Sequence, residues 1–192
     1  MKDLNQLLFK FDLKQNYKNE DFYVNKSNFF AFNLIDKWPN WEKKILNIYG
    51  EKHCGKTHLS NIFKKKYNAY KIHANEFNNQ SLKEFKVFEN IILDDFDENI
   101  DENLMYTLFN IADQDNKFVL INSLIPINEL NFKLEDLISR TKNCIYAKIE
   151  KPDDELMFAI LLKNFSDRQI TIEKKFIDFI IKHIDRSYVK IY

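Results

Sequence analysis

Residues 50–57 read Gly-Glu-Lys-His-Cys-Gly-Lys-Thr, and this stretch decides the fold because it fits the pattern G-x-x-x-x-G-K-[ST]. The apolar run 45–49 precedes the stretch, and a helix-like run, 57–67, follows it. That strand-to-helix context makes the pattern specific for a phosphate-binding loop. The chain contains only two glycines, and both of them, Gly50 and Gly55, lie in this window. We therefore expect the backbone to bend tightly around phosphate oxygens here.

The residues at the end of the loop have distinct chemical tasks. Lys56 can reach the β- and γ-phosphates of a nucleotide, and the hydroxyl of Thr57 can supply an oxygen to magnesium. Cys54 is open to two interpretations. It is a reactive thiol, because a cation and a helix N-terminus lower the pKa of a thiol, or it is a tolerated small residue. The loop as a whole predicts ADP or ATP, with magnesium, as the ligand.

A second strand supplies carboxylates, as a phosphate loop requires. Residues 90–97 read Asn-Ile-Ile-Leu-Asp-Asp-Phe-Asp, an apolar triplet that ends in paired acids. We expect Asp94 to hold magnesium, largely through water, and Asp95 to polarise the attacking water. The acids that follow, Asp97, Glu98 and Asp101, are expected on a solvated turn and at a helix start, where acids favour the positive end of the helix dipole.

Composition narrows the function classes. The 192 residues carry 29 Lys+Arg against 29 Asp+Glu, with a pI near 6.9, which argues against the chain-wide basic surface of a general DNA-binding protein. The two cysteines are far apart, and the start of the chain lacks the pattern of a secretory signal, so we expect a cytoplasmic protein. No uncharged apolar run approaches the roughly 20 residues of a membrane-spanning helix, so we expect no membrane partner.

The order of apolar and amphipathic runs predicts an α/β fold. Strand-like runs at 45–49, 70–74, 90–93, 118–122 and 144–149 alternate with helical patterns at 57–67, 102–112 and 130–139. This alternation is typical of a parallel sheet with helices on both faces. From Pro152 the pattern contains helices only, at 153–165 and 172–184, with a third opening at Ser187. We predict a nucleotide-binding domain over 17–150 and a small helical lid over 151–192.

The order of these features resembles that of the AAA+ ATPases of the DnaA replication-initiator family, and within it the Hda group of regulators in its alphaproteobacterial form. The resemblance covers essentially the full chain. It implies a P-loop αβα sandwich with a parallel five-stranded sheet followed by a helical lid. The residues that carry it are 6–9, 21–24, 27–28, 34–41, the phosphate loop through His58 and Leu59, 93–95, 137–140 and 152–156.

The resemblance assigns further site residues. It implies that residues 22–28, with Phe22 and Val24, form the wall around the adenine, although simple core packing explains this apolar segment equally well. It also adds His58 to the nucleotide site. It implies that Arg140 is an arginine finger, which reaches from one subunit into the nucleotide site of the next. Without the resemblance, Arg140 is a surface arginine at the carboxyl end of a helix.

Residues 1–16 are expected to be a clamp-binding tail, because residues 6–11 resemble the short peptide with which Hda regulators and several polymerases dock on the DNA polymerase sliding clamp. A glutamine at the rim of a pocket, followed by apolar anchors, is a common docking pattern for a flexible peptide. Short strings of this kind are frequent by chance, and alone they are more often a first strand or a tail packed on the core. The candidate clamp-binding residues are Gln6, Leu7, Leu8 and Phe9.

The sequence departs from the family pattern at three points. After the strand-like residues 118–121, only Asn122 or Ser123 can act as the sensor-one residue, which hydrogen-bonds the γ-phosphate or the attacking water. The sensor-two cation, which neutralises phosphate charge, is either Lys190 or Arg186. These departures indicate weak hydrolysis by this chain itself. The chain ends within the third lid helix, so we expect the lid to be incomplete. No helix-turn-helix domain follows it, and direct sequence-specific DNA binding is not expected.

These observations favour a regulator of chromosomal replication initiation. The expected protein carries ADP or ATP, docks on the sliding clamp, and stimulates ATP hydrolysis by the DnaA initiator through Arg140, which prevents re-initiation. It would associate with the nucleoid through the clamp, and self-association into a homo-oligomer stays open. Two alternatives remain: a free-standing ATPase or helicase-loader-like enzyme that uses Lys56, Thr57, Asp94 and Asp95, and an initiator-like tethering factor that acts by protein contacts.

Overall fold

A computed structural model of the chain describes residues 22–191. The predicted clamp-binding residues Gln6, Leu7, Leu8 and Phe9 lie outside the described residues. In the described range, the sequence forms a five-stranded sheet in the order β2-β3-β4-β1-β5, and every neighbouring pair of strands is parallel. The strands are β1 (Ile45–Tyr49), β2 (Tyr70–His73), β3 (Asn90–Phe96), β4 (Phe118–Ser123) and β5 (Ile145–Lys148). The predicted α/β fold is confirmed.

Helices cover both faces of the sheet and continue after its last strand. They are α1 (Phe29–Asp36), α2 (Lys56–Tyr67), α3 (Asn79–Glu84), α4 (Glu102–Gln114), α5 (Glu135–Thr141), α6 (Asp154–Asp167), α7 (Lys174–His183) and α8 (Tyr188–Ile191), with short 3₁₀ turns at Ala74–Glu76 and Ile127–Glu129. No helix between residues 22 and 191 is long and apolar enough to cross a membrane.

The three central strands, β1, β3 and β4, are almost fully buried because each side of the sheet contacts its own core. Leu46 and Ile48 of β1 belong to the core that contains Phe63 of α2, whereas Ile45 belongs to the core that contains Phe109 of α4. Strands buried on both faces explain the nearly continuous apolar runs in the sequence. Because all five strands run in one direction, the loops after their carboxyl ends meet at one edge of the sheet, where ligands bind in such folds.

The three carboxyl-terminal helices form a small apolar cluster of their own, made of Met157 and Leu161 in α6, Ile177 in α7 and Ile191 in α8. Two further residues, Leu156 of α6 and Tyr188 of α8, are buried in the core beside α2. Burial of these two apolar side chains stabilises the packing of the carboxyl-terminal helices against the rest of the domain, beside α2.

Several predicted boundaries were wrong. The helix expected over 130–139 begins only at Glu135, because the carboxylate of Glu102 accepts hydrogen bonds from the backbone N–H groups of Lys133 and Leu134 and holds that segment extended. The helix expected from 172 begins at Lys174. Two helices, α1 and α3, were not predicted.

Candidate nucleotide-binding site

The phosphate loop leaves β1 at Gly50 and enters α2 at Lys56. Gly50 has φ +154°, and a Cβ atom there would lie 2.8 Å from the backbone oxygen of Ile149. Gly55 has φ +101°, and a Cβ atom there would lie 2.8 Å from a ring carbon of Phe22. Both positions therefore require glycine, for backbone conformation and for space. This accounts for the presence of both glycines of the chain in one loop.

The ammonium of Lys56 lies inside the loop. Its side chain is almost fully buried, and Nζ donates hydrogen bonds to the backbone oxygens of Gly50 and Glu51, both at 2.8 Å. The lysine thus lies at the start of α2, where backbone N–H groups without helical partners favour anions. This arrangement fits a nucleotide phosphate.

The first acid of the predicted pair, Asp94, lies next to the loop. It is completely buried, and its Oδ1 accepts hydrogen bonds from Thr57 Oγ1 at 3.3 Å and Asn122 Nδ2 at 2.8 Å. Lys71 Nζ lies 2.8 Å from the other oxygen, Oδ2. Burial alone would raise the pKa of Asp94, but Lys71, Asn122 and Thr57 together outweigh burial and lower it. Thr57 and Asp94 are the oxygen donors that would hold magnesium.

The second acid, Asp95, has a different environment. The ladder between β3 and β4 shifts register between Leu93 and Phe96, and Asp95 has φ +53°, a left-handed conformation. Its side chain is 69% exposed, and Oδ2 lies 3.5 Å from Nδ1 of His73. The irregularity turns the carboxylate toward solvent. The catalytic role of Asp95 stays a prediction.

Of the two sensor-one candidates, Asn122 contacts the site. It is fully buried in β4 and donates from Nδ2 to Ser60 of α2 as well as to Asp94. Its Oδ1 is buried and has no hydrogen-bond partner among residues 22–191. Ser123 instead donates to the backbone oxygen of Ile125 and accepts from Asn47, so its hydroxyl stabilises the end of the strand.

The predicted adenine wall lies against the loop in part. The ring of Phe22 covers Gly55 and lies 5.3 Å from the ring of His58. Val24 packs on the core beside α2. Phe22 and His58 are therefore neighbours at the start of α2. Val24 packs against core side chains, as the alternative interpretation of this segment predicts.

The carboxyl-terminal helical segment contacts the phosphate loop through Glu51, a residue that sequence reasoning missed. The carboxylate of Glu51 accepts hydrogen bonds from the Ser187 hydroxyl and from the backbone N–H of Tyr188, the latter at 2.9 Å. Lys190 lies on the same short helix, α8, with an exposed side chain. Arg186, the other sensor-two candidate, pairs with Asp154 at 3.0 Å.

Arg140 lies away from this site, at the other end of β1. It lines a cleft of about 630 Å³ together with Lys44 and Ile45, at the beginning of β1, whereas the phosphate loop follows the end of that strand. Its guanidinium Nη1 lies 2.6 Å from the carboxylate of Asp113, and its Cζ lies 5.2 Å from the centre of the Tyr106 ring. Arg140 is one third exposed.

The two thiols are buried and protonated. Burial raises the pKa of Cys54, and this outweighs the opposing influence of Lys56. Burial also raises the pKa of Cys144, to about 12. A neutral thiol is a poor nucleophile, so the structure favours the interpretation of Cys54 as a tolerated small residue.

No protein-family model matches the chain. The sequence is 28% identical to the chromosomal replication initiator protein DnaA of Borreliella afzelii over 199 residues, which cover 90% of this chain and 41% of that protein. The chain therefore spans about two fifths of the length of the curated relatives it matches.

Solved structures of DnaA have the same architecture. Domain III of DnaA from Thermotoga maritima matches with a TM-score of 0.71 and 21% identity, covering 89% of this chain and 82% of that one. A replication initiator DnaA bound to AMPPCP and single-stranded DNA matches with a TM-score of 0.72 and 20% identity, covering 92% of this chain and 63% of that one. The chain thus has an α/β AAA+ fold that resembles domain III of DnaA, and the sequence similarity supports a DnaA-like AAA+ domain.

Proposed function

We propose that this chain is a nucleotide-binding, DnaA-like AAA+ protein that acts in the control of DNA replication initiation. The phosphate loop, with its two obligatory glycines and the buried Lys56, supports binding of ADP or ATP. The similarity to DnaA, including a structure bound to the ATP analogue AMPPCP, supports an adenine nucleotide. Phe22, Val24, His58 and Lys190 are proposed to complete the nucleotide site.

Magnesium is proposed to bind at Thr57 and Asp94, whose oxygens lie side by side 3.3 Å apart. Bound magnesium would neutralise charge on the phosphates. The residues of this chain then have separate tasks: Lys56 binds phosphate, Thr57 and Asp94 orient the ion, and Asn122 fixes the orientation of Asp94. Asp95 would polarise a water molecule only if its exposed carboxylate turned toward the site.

Within that class, the function that the geometry supports best is that of an Hda-type adaptor. It would present Arg140 to ATP held by a DnaA initiator and so promote conversion of the initiator to its ADP form. The observation that carries this proposal is the separation of Arg140 from the chain's own phosphate loop by the length of β1, about 13 Å. A guanidinium at that end of the sheet is suited to the site of another subunit.

Docking on the sliding clamp belongs to the same proposal and rests on the sequence pattern of Gln6 to Phe9. A clamp on DNA would raise the effective concentration of the adaptor where newly replicated DNA is present. The result would be negative regulation of initiation.

A second candidate is an ATPase that acts on its own nucleotide. It is favoured by the contact between Thr57 and Asp94, which brings together the oxygen donors of a working metal site. The exposure of Asp95 and the remote position of Arg140 argue against rapid turnover by a single subunit. A tethering factor, the third candidate, requires no contribution from Arg140.

The test measures phosphate release from the ATP-loaded initiator of the same organism, on DNA that carries loaded clamp. The chain is added as wild type, as Arg140→Ala, as Gln6→Ala and as Arg168→Ala. The adaptor is expected to accelerate hydrolysis, and Arg140→Ala is expected to lose most of that acceleration, since arginine fingers contribute about 10³-fold or more in other nucleotide hydrolases. Gln6→Ala is expected not to accelerate ATP hydrolysis by the initiator on clamp-loaded DNA.

Arg168→Ala is the matched control, because it removes an exposed arginine of the lid and is expected to act like wild type. If the wild type has no effect on the initiator but hydrolyses ATP alone, the chain is an ATPase in its own right. Clamp and initiator binding with full function in Arg140→Ala would favour the tethering factor.

A further inference from the structure

Lys71 brings a positive charge to the acid that is expected to hold magnesium. Lys71 lies in β2, where its register partner in β3 is Ile92. Its side chain is only 12% exposed. The ammonium Nζ lies 2.8 Å from Asp94 Oδ2 and donates a hydrogen bond to Asn61 Oδ1 of α2, also at 2.8 Å. Lys71 thus bridges β3 and the helix that begins at the phosphate loop.

This contact gives each oxygen of Asp94 a neighbour, although Oδ2 makes an ion pair and no hydrogen bond among residues 22–191. Oδ1 accepts hydrogen bonds from Thr57 and Asn122, and Oδ2 faces Lys71. A buried carboxylate is stable only when its charge is compensated, and the ammonium compensates it without any ion from solution. Magnesium requires oxygen ligands in nearly ideal octahedral geometry and gives up its water reluctantly. It would have to compete with a cation that is covalently part of the chain.

We propose that Lys71 acts as a built-in cation at the metal position, so that this chain holds a nucleoside diphosphate without needing magnesium. This inference rests on the proposed nucleotide-binding function. Lys56 lies in the loop where phosphate is expected. Lys71 supplies a second positive charge next to this loop, at Asp94. Magnesium can still bind at Thr57 and Asp94. It adds little to nucleotide affinity, because it must displace Lys71 from Asp94.

A purely structural ion pair would behave differently. In that case Lys71 stabilises the fold, and its removal lowers stability without altering how nucleotide affinity depends on magnesium. If Lys71 substitutes for the ion, its removal creates a magnesium requirement that the wild type lacks. The dependence of affinity on magnesium therefore separates the two roles, and protein stability does not.

The experiment titrates the full chain with a fluorescent ADP analogue, in excess magnesium and in EDTA. The wild type is expected to bind with nearly equal dissociation constants in the two buffers, within about threefold. Lys71→Met is expected to bind at least about tenfold more weakly in EDTA than in magnesium, the change that one ordinary charge interaction produces. Lys71→Arg keeps the charge and is expected to resemble the wild type.

Lys66→Met is the matched control. Lys66 also pairs with an aspartate, at 2.6 Å from Asp36, but both side chains are about half exposed on the surface. Its loss is expected to leave the magnesium dependence unchanged. If Lys71→Met fails to fold, the wild type alone still decides: titration of its ADP complex with Mn²⁺, followed by electron paramagnetic resonance, is expected to give no tight stoichiometric site.

The opposing results are distinct. Wild-type binding that weakens at least about tenfold in EDTA, or a tight Mn²⁺ site in the ADP complex, overturns the role of Lys71 and leaves the proposed nucleotide-binding function intact. A Lys71→Met variant without magnesium dependence overturns it as well. Absence of ADP binding in both buffers overturns the proposed function and this inference together.

Discussion

Asp94 is a buried carboxylate whose charge depends on neighbours from three different elements. Thr57 of α2, Lys71 of β2 and Asn122 of β4 all contact it, and together they hold its pKa below the ordinary value of 3.8 despite its burial. A carboxylate whose pKa is lower in the folded than in the unfolded state stabilises the fold above the unfolded pKa. That stabilisation is lost as the pH falls through the folded pKa.

We therefore predict that Asp94→Asn destabilises the protein at pH 7 by about 3 kcal/mol, because Lys71 loses its buried partner. The difference between variant and wild type is expected to shrink as the pH falls from the ordinary pKa of 3.8 through the lower pKa of Asp94 in the folded protein. Urea unfolding at a series of pH values measures both effects. Asp36→Asn, at an exposed ion pair, is the control and is expected to cost less than about 1 kcal/mol. A difference that does not vary with pH would contradict the assignment of a lowered pKa.

The raised pKa values of Cys54 and Cys144 lead to a second prediction at the residue scale. Both thiols are neutral and buried at pH 8, so we expect iodoacetamide to label neither of them in the native protein within the time that labels both in guanidinium chloride. Mass spectrometry of the labelled protein gives the count. Rapid native labelling of Cys54 would restore the interpretation of that residue as a reactive thiol.

At the scale of elements, sequence reasoning succeeded where one short pattern determines the structure. The two glycines and Lys56 predicted the loop between β1 and α2, and the apolar triplet before Asp94 predicted β3. It failed for α3, which has only six residues and depends on a capping box between Asn78 and Ser81. It also failed for Lys71, because a lysine in a short strand gives no sign of which neighbour it will meet across the sheet.

The contact between Glu51 and α8 was likewise invisible in the sequence, since it joins residues 136 positions apart. We predict that Glu51→Ala loosens α8, because the helix loses its acceptors for the Ser187 hydroxyl and the Tyr188 N–H, interactions worth about 2 kcal/mol with a charged acceptor. Hydrogen exchange followed by mass spectrometry is expected to show faster exchange in a peptide that covers α8 and unchanged exchange in α4. Glu173→Ala, at an exposed pair with Lys175, is the control and should leave α8 unchanged. Equal protection of α8 in Glu51→Ala would show that apolar burial of Tyr188 alone holds the helix.

At the scale of the whole molecule, the parallel sheet separates two candidate functional regions. The carboxyl ends of the strands carry the phosphate loop and Asp94, and the beginning of β1 lies beside Arg140 and its partner Asp113. The order of strands and helices in the sequence was enough to predict this architecture, because alternating runs allow few arrangements. The proposed contact of Arg140 with a second protein could not be derived in the same way, because the sequence of one chain does not encode its partner.

This separation predicts that nucleotide binding and Arg140 can be altered independently. A nucleotide that binds only the folded state, at about 100 times its dissociation constant, stabilises that state by about 2.7 kcal/mol, which raises the melting temperature of a chain of this size by about 5–10 °C. We expect ADP to produce such a shift in the wild type and in Arg140→Ala, measured by differential scanning calorimetry, and to produce almost none in Lys56→Met. Lys66→Met, on an exposed face of the same helix, controls for loss of a lysine from α2 and should keep the shift. If Arg140→Ala lost the ADP shift, the arginine would act on the chain's own nucleotide, and a role toward a second protein would no longer be needed to explain it.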